Sequence, residues 1–274
     1  MKLCRFQPLV FSPGGVRGPT AGPGEPQRPE LRFGLIAGET VREIAGDILG
    51  QWSASERVWP LGEVKFLPPA TPSKVVCLGR NYRAHAAELG NPIPKEPLIF
   101  LKPPSAIIGP EEPIVLPSIS QRVDHEGELA VVIGRLCSQL APSDDVRPYI
   151  LGFTCLNDVT ARDLQEADVQ FTRAKGFDTF CPLGPVVETE LDLAATTIET
   201  YVNGQRRQSG RATEMIFPVD VIIRWVSRMM TLVPGDVVAT GTPVGVGPLR
   251  DGDVVEVVVS GVGTLRNPVM AQTS

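Results

Sequence analysis

Short apolar runs bounded by glycine and proline recur along the chain, and they predict short strands. KLCRFQ (2–7), RFGLIAG (32–38) and TVREIAG (40–46) read as strands of this kind, as do KVVCLG (74–79), LIFLKP (98–103) and IVLP (114–117). VDHEGELAVVIGR (123–135) reads as one strand whose second half, 129–133, is wholly apolar, and YILGFTCLND (149–158) as another ending at Asp158. ETYVNGQRRQ (199–208) carries Asn203–Gly204, a pair suited to a two-residue hairpin turn. The tail, 237–265, reads as strands joined by glycine-rich turns.

Helical spacing is rarer. NYRAHAAELG (81–90) predicts a short helix with Asn81 as N-cap and Gly90 as its stop. TARDLQEADV (160–169) predicts a second, with Thr160 and Asp163 at capping-box spacing. PVDVIIRWVSRMM (218–230) predicts the one longer helix, with Pro218 in its first turn and Ile222, Trp225, Met229 and Met230 facing the core. The fold class is therefore α+β with strands dominating. The proline-rich stretch 67–73 reads as a connector, which divides the chain into a small unit over 1–68 and a larger one over 69–274. Segment 12–29 has no apolar periodicity and predicts a mobile loop.

Composition narrows the class. The 274 residues suffice for a large core, and 27 glycines with 27 prolines fit many turns between short strands. A net charge of −5 argues against nucleic acid as a partner. No apolar run is long enough to span a bilayer, and Arg5 and Pro8 interrupt what a signal peptide would need. Five cysteines without a CxxC pair read as buried reduced thiols. Together these predict a cytoplasmic protein with neither a membrane nor a nucleic-acid partner.

The candidate chemistry starts at Glu126 and Glu128. Residues two apart on a strand share a face, about 7 Å apart along the chain, so two ionised carboxylates there repel. The reading leaves three resolutions open: a solvated edge, a salt bridge, or a hard divalent cation such as Mg²⁺ or Mn²⁺, with Ca²⁺ the further alternative. Asp158, at the end of an apolar strand, is the natural third ligand. His85 and Glu88 lie i, i+3 on the short helix, as either a surface pair or a general base with its orienting carboxylate. His125 precedes the carboxylate pair on the opposite face, and Arg162 reads equally well as a structural ion-pair partner. The glycine-rich tail lacks the GxxxxGK[ST] pattern of a phosphate loop.

VCLGRNYRAHAAELGN, FLKPPSAIIG, DHEGELAVVIG, NDVTARDLQ, RAKGFDTFCPLGP and PGDVVATGTPVGVG stand in this order from about residue 73 onward. Together they resemble the fumarylacetoacetate hydrolase family, and residues 1–68 resemble the small β-rich N-terminal domain of some bacterial members. The resemblance implies a roll of mixed β-sheets and a homodimer. It also implies a metal held by Glu126, Glu128 and Asp158, and a catalytic His85–Glu88 pair on a lid helix; so short a helix is marginal alone and is expected to order with substrate. Lys175 would reach the metal centre, Gln165 would contact substrate, and Asn81 and Thr242 would line the pocket through backbone groups.

The activity implied is hydrolytic C–C cleavage of an acylpyruvate-like 2,4-diketo acid, with His85 and Glu88 activating water. The same site would suit an isomerase or decarboxylase of hydroxy-dienedioates or oxaloacetate in aromatic-compound catabolism. A non-catalytic binding protein on the same scaffold is the third reading, and a small keto acid is the expected ligand.

Overall fold

The computed structural model describes residues 1–9 and 30–273, and the loop expected over 12–29 falls outside them. The N-terminal strands are β1 (Lys2–Pro8), β2 (Arg32–Ala37), β3 (Thr40–Gly46), β4 (Trp52–Pro60) and β5 (Val64–Leu67). The first four stack antiparallel in the order β4-β3-β2-β1, and β5 also pairs with β1. β4 is missing from the sequence reading. Its nine residues are mostly exposed or half-buried, so no alternation marks it.

Next come β6 (Val75–Gly79), α1 (Arg83–Glu88), β7 (Leu98–Lys102), β8 (Ile107–Ile108), β9 (Ile114–Leu116), β10 (Val123–His125) and β11 (Gly127–Ile133). Helix α1 starts after Tyr82, which caps it with no side-chain hydrogen bond, so Asn81 is not its N-cap. The expected single strand over 123–135 is two. β10 joins a small three-stranded sheet and β11 the large one, and Glu126 is the junction. Every residue of β11 is buried, because both its faces are covered. Leu129, Val131 and Ile133 share a core cluster with the longer helix, while Ala130 and Val132 pack with Val75, Cys77 and Leu156.

β12 (Ile150–Asn157), β13 (Thr160–Ala161), α2 (Arg162–Ala167), α3 (Thr172–Lys175) and β14 (Cys181–Glu188) follow. Helix α2 has no capping box: Ala161 precedes it, and Asp163 instead accepts hydrogen bonds from Ser120 Oγ (2.6 Å) and the Gln121 amide (2.8 Å). β14 joins the N-terminal strands to the rest through Lys2↔Glu188 and Leu3↔Val187, so one sheet runs through both parts of the chain.

The last elements are β15 (Thr197–Val202), β16 (Gln205–Arg211), α4 (Val219–Met229), β17 (Val237–Ala239), β18 (Gly247–Pro248), β19 (Val254–Val259) and β20 (Gly263–Ala271). The Asn203–Gly204 turn has φ of +51° and +75°, the left-handed pair that a two-residue hairpin needs. β15 and β19 bury every second residue, so the five-stranded sheet β16-β15-β19-β20-β9 turns one face to the core. On α4, Ile222 is fully buried, but Met229 is 50 % exposed, so the core assignment fails for that methionine. The five cysteines are all free and buried, as the sequence implied.

Candidate active site

The site forms where two central strands leave the large sheet together. β11 and β12 pair with Gly127 opposite Asn157 and Glu128 opposite Leu156. One residue further out, the Asp158 amide donates to the Glu126 carbonyl (2.8 Å), and the Glu126 amide donates to Asn157 Oδ1 (2.9 Å). Backbone pairing therefore places Glu126 against Asp158. Glycine is required at 127, because a Cβ there would lie 2.0 Å from Thr200 Oγ1 of the neighbouring sheet.

The carboxylates of Glu126, Glu128 and Asp158 converge, with one oxygen of each within 4.8 Å of the others, and all three residues are buried. Lys175 Nζ donates to Glu126 Oε2 (2.9 Å) and Asp158 Oδ2 (2.5 Å). The Gly241 amide donates to Glu128 Oε2 (2.7 Å). Burial resists ionisation of Glu126, yet Lys175 and Arg162 outweigh it and hold this carboxyl well below its usual range. Burial pushes Glu128 the other way, and the charges on Asp158 and Glu126 push it further. This donor set fits a hard divalent cation: three buried carboxylates converge, and one of them resists ionising until a positive charge arrives.

Two further cations belong to this centre. Lys102, at the end of β7, is 1 % exposed and donates to Asp158 Oδ1 (2.6 Å) and the Val159 carbonyl (3.0 Å). Arg162 donates to Glu126 Oε1, to Asp124 Oδ2 and to Gln165 Oε1. The sequence reading gave Lys102 no role, and for Arg162 it left open a structural ion pair, which its contacts with Glu126 and Asp124 bear out.

A cavity of about 280 Å³ opens beside the carboxylates. Its wall includes Gly79, Arg80, His85, Gln165, Lys175 and Thr242. His85 Nδ1 lies 3.3 Å from Glu88 Oε2, and the Gly245 amide donates to both Glu88 oxygens (3.0 and 3.2 Å). Thr242 Oγ1 donates to the Gly127 carbonyl (2.8 Å) and accepts from Gln208 Nε2 (2.7 Å). Gln208, fully buried, also takes the Gly127 amide (3.0 Å) and faces His125 Nδ1 (3.1 Å), which places His125 behind the carboxylates. Asn81 stands apart from the cavity wall. Its side chain is fully buried and spent on the Phe217 amide, the Phe217 carbonyl and the Thr240 carbonyl. The side chain of Asn81 is thus occupied within the fold, next to the cavity-lining Arg80.

Residues 74–270 match the model of the fumarylacetoacetate (FAA) hydrolase C-terminal domain. The chain belongs to the fumarylacetoacetate hydrolase family. Residues 1–69 match the N-terminal domain described as Rv2993c-like. Among its relatives, this family member is 50 % identical to protein Rv2993c of Mycobacterium tuberculosis over 250 residues, 88 % of this chain and 94 % of that one. It is 43 % identical over 249 residues to the oxaloacetate tautomerase FAHD2A, mitochondrial, of Homo sapiens, covering 86 % and 78 % of the two chains. A solved structure of 5-carboxymethyl-2-hydroxymuconate delta-isomerase from Mycobacterium smegmatis superposes with a TM-score of 0.86. It is 44 % identical, and the match covers 99 % of this chain and 100 % of that one. No described helix of this family member is long and apolar enough to cross a membrane.

Proposed function

We propose that this enzyme moves a proton at the carbon beside the carbonyl of a small 2-oxo acid, interconverting enol and keto forms. The observation that carries this reading is one arrangement: three buried carboxylates and Lys175 at a cavity whose wall also holds His85, with Glu88 beside its Nδ1. The names of the tautomerase and isomerase relatives support it. A divalent ion held by Glu126, Glu128 and Asp158 would supply the Lewis acidity that withdraws electrons from the 2-oxo acid.

The chain's own groups do the rest. Lys175 is pinned by Glu126 and Asp158, which hold its ammonium in the charged form although burial opposes it. That charge stabilises the oxygen that becomes negative when the carbon proton leaves. Glu88, fixed by the Gly245 amide, accepts from His85 Nδ1 and so keeps the proton on that nitrogen. Nε2 is then the free base that takes or returns the substrate proton. Leu89, Leu98, Phe100 and Phe171 on the cavity wall exclude water from the reacting carbon.

Hydrolytic C–C cleavage of an acylpyruvate is the second reading. It rests on the same His85–Glu88 geometry, since Nε2 would equally deprotonate a water. The test is a panel of oxaloacetate, a hydroxy-dienedioate and an acylpyruvate with Mg²⁺ or Mn²⁺, followed by proton NMR in D₂O. Tautomerisation with deuterium entering the carbon, and no cleavage, is the expected result. Pyruvate released from the acylpyruvate would favour the hydrolase, and loss of carbon dioxide would indicate a decarboxylase. His85→Ala should abolish turnover and leave metal binding intact. Equal loss of both would refute the assigned roles.

A further inference from the structure

The cavity wall carries four groups able to hold positive charge: Arg80, His85, Arg162 and Lys175. Three of them have a carboxylate partner within the chain: His85 has Glu88, Arg162 has Glu126 and Asp124, and Lys175 has Glu126 and Asp158. Among the described residues Arg80 has none: the half-buried residue makes no side-chain hydrogen bond or ion pair there, and Glu166, the exposed acid on the same wall, forms no salt bridge with it. An uncompensated guanidinium on the wall of a small cavity is a ready partner for a carboxylate carried in by a ligand.

The backbone supports the assignment independently. Arg80 has φ +58°, a left-handed conformation that costs any residue with a Cβ and that glycine would adopt freely. Its neighbour Asn81 over-determines this geometry. The Asn81 side chain bonds the amide and carbonyl of Phe217 and the Thr240 carbonyl, and its own carbonyl accepts from the Ile216 amide (2.8 Å). The chain thus holds an arginine, rather than the relaxed glycine, in a strained position at the cavity. Strain kept in this way is a mark of a functional position.

We propose that Arg80 recognises the distal carboxylate of the substrate and so makes the enzyme selective for 2-oxo dicarboxylates over monocarboxylates of the same length. This deepens the reading given under Proposed function and rests on its placing the 2-oxo end at the carboxylate centre. The experiment is calorimetric binding in Mg²⁺ of two length-matched pairs, 2-oxoglutarate with 2-oxopentanoate and oxaloacetate with 2-oxobutanoate. The proteins are wild type, Arg80→Gln, Arg80→Lys and Arg80→Gly. Wild type should favour the dicarboxylate by about 10- to 100-fold, the range expected for a partly solvated guanidinium–carboxylate pair. Arg80→Gln and Arg80→Gly should lose that preference while binding the monocarboxylates as before, and Arg80→Lys should keep part of it. The thermal midpoint of Arg80→Gly should not fall, since the variant removes strain along with the charge.

A wild type without preference, a preference that survives Arg80→Gln, or an equal loss for both members of a pair would each overturn the proposal. If an Arg80-dependent preference is found and none of these acids is turned over, the recognition stands and the proposed catalytic activity falls.

Discussion

Replacing Lys102 by Met should move protein stability and metal affinity in opposite directions. The side chain is fully buried and its ammonium donates to Asp158 Oδ1 at 2.6 Å and to the Val159 carbonyl at 3.0 Å. Met conserves the volume and removes both bonds. Losing a charge-assisted hydrogen bond costs about 1.5–3 kcal/mol, and leaving a buried carbonyl unpaired adds to it. Lys175 still holds Asp158 at 2.5 Å, so the carboxylate keeps one cation and the full penalty for an unpaired buried charge does not apply. A loss of roughly 2–3 kcal/mol follows in metal-free protein. For a chain of this size that is a fall of about 4–10 °C in thermal midpoint.

The same substitution takes one positive charge away from the three carboxylates. If the 4.8 Å span of the cluster sets the separation, Coulomb's law at an effective dielectric of about 20 gives roughly 3 kcal/mol per unit of charge product. Much of that is lost to relaxation, which leaves an expected gain of at least about tenfold in Mg²⁺ or Mn²⁺ affinity. Because metal binds only the folded chain, the variant should regain stability on adding metal by more than wild type does. Scanning calorimetry of both proteins in EDTA and in saturating Mg²⁺, with titration calorimetry for affinity, measures each quantity. A metal-induced shift smaller in Lys102→Met than in wild type would refute the reasoning. It would mean that Lys102 orients Asp158 for the cation more than it competes with it.

Asp236 accepts from the Ser73 amide (3.0 Å) and hydroxyl (2.7 Å), the Lys74 amide (3.2 Å) and ammonium, and the Val233 amide (2.9 Å). Although burial opposes its ionisation, these donors hold the carboxyl below its usual value. The unfolded chain therefore binds this proton at a higher pH than the folded one. The stabilisation is present above the unfolded value of about 3.9 and is lost as pH falls through the folded value. Asp236→Asn should lower stability by about 2–4 kcal/mol at neutral pH and flatten the acid limb of the stability profile, and an unchanged limb would refute the assignment. Asn81→Ala should cost about 2–4 kcal/mol, whereas a raised KM at unchanged thermal midpoint would restore a substrate contact. The five cysteines are buried, and burial pushes Cys4, Cys155 and Cys181 up to about 12. A thiol reagent should label them only after unfolding, and rapid labelling of the native protein would show otherwise.

How far the fold could be read in advance depended on whether a strand's pattern survived its surroundings. β19 alternates buried and half-buried residues over VVEVVV, and the Asn203–Gly204 turn names its own geometry, so both were legible. β14 was not. Its sequence, CPLGPVVE, contains two prolines and a glycine, which argue against a central strand, yet it lies between β1 and β12. The ladder tolerates it because the β12–β14 register shifts between Phe153 and Cys155, across the stretch that includes Pro185. A bulge of this kind is set by the partner strand, and no local pattern contains it.

The site divides along the same line. Glu126, Glu128 and Asp158 were legible because repulsion between near neighbours demands an explanation, and the family motifs then selected one. Of what compensates them, Lys175 came with the family motifs, but the partners of Lys102 and Arg162 did not show, because they lie far along the chain. Lys102 reaches Asp158 across 56 residues, and Arg162 reaches Glu126 across 36. In LIFLKP a lysine closing an apolar run looks like a strand meeting water, and only the approach of the β12 terminus turns it into a buried counter-charge. The misreading of Asn81 has the same origin. Beside a helix an asparagine reads as a cap, but here Phe217 and Thr240 take every bond its side chain makes and lock the backbone that presents Arg80 to the cavity. A local motif thus identifies which residues carry the chemistry. Whether a neighbouring polar side chain is spent inside the fold or left for a ligand is decided by partners tens of residues away, and that distinction separates Arg162 from Arg80.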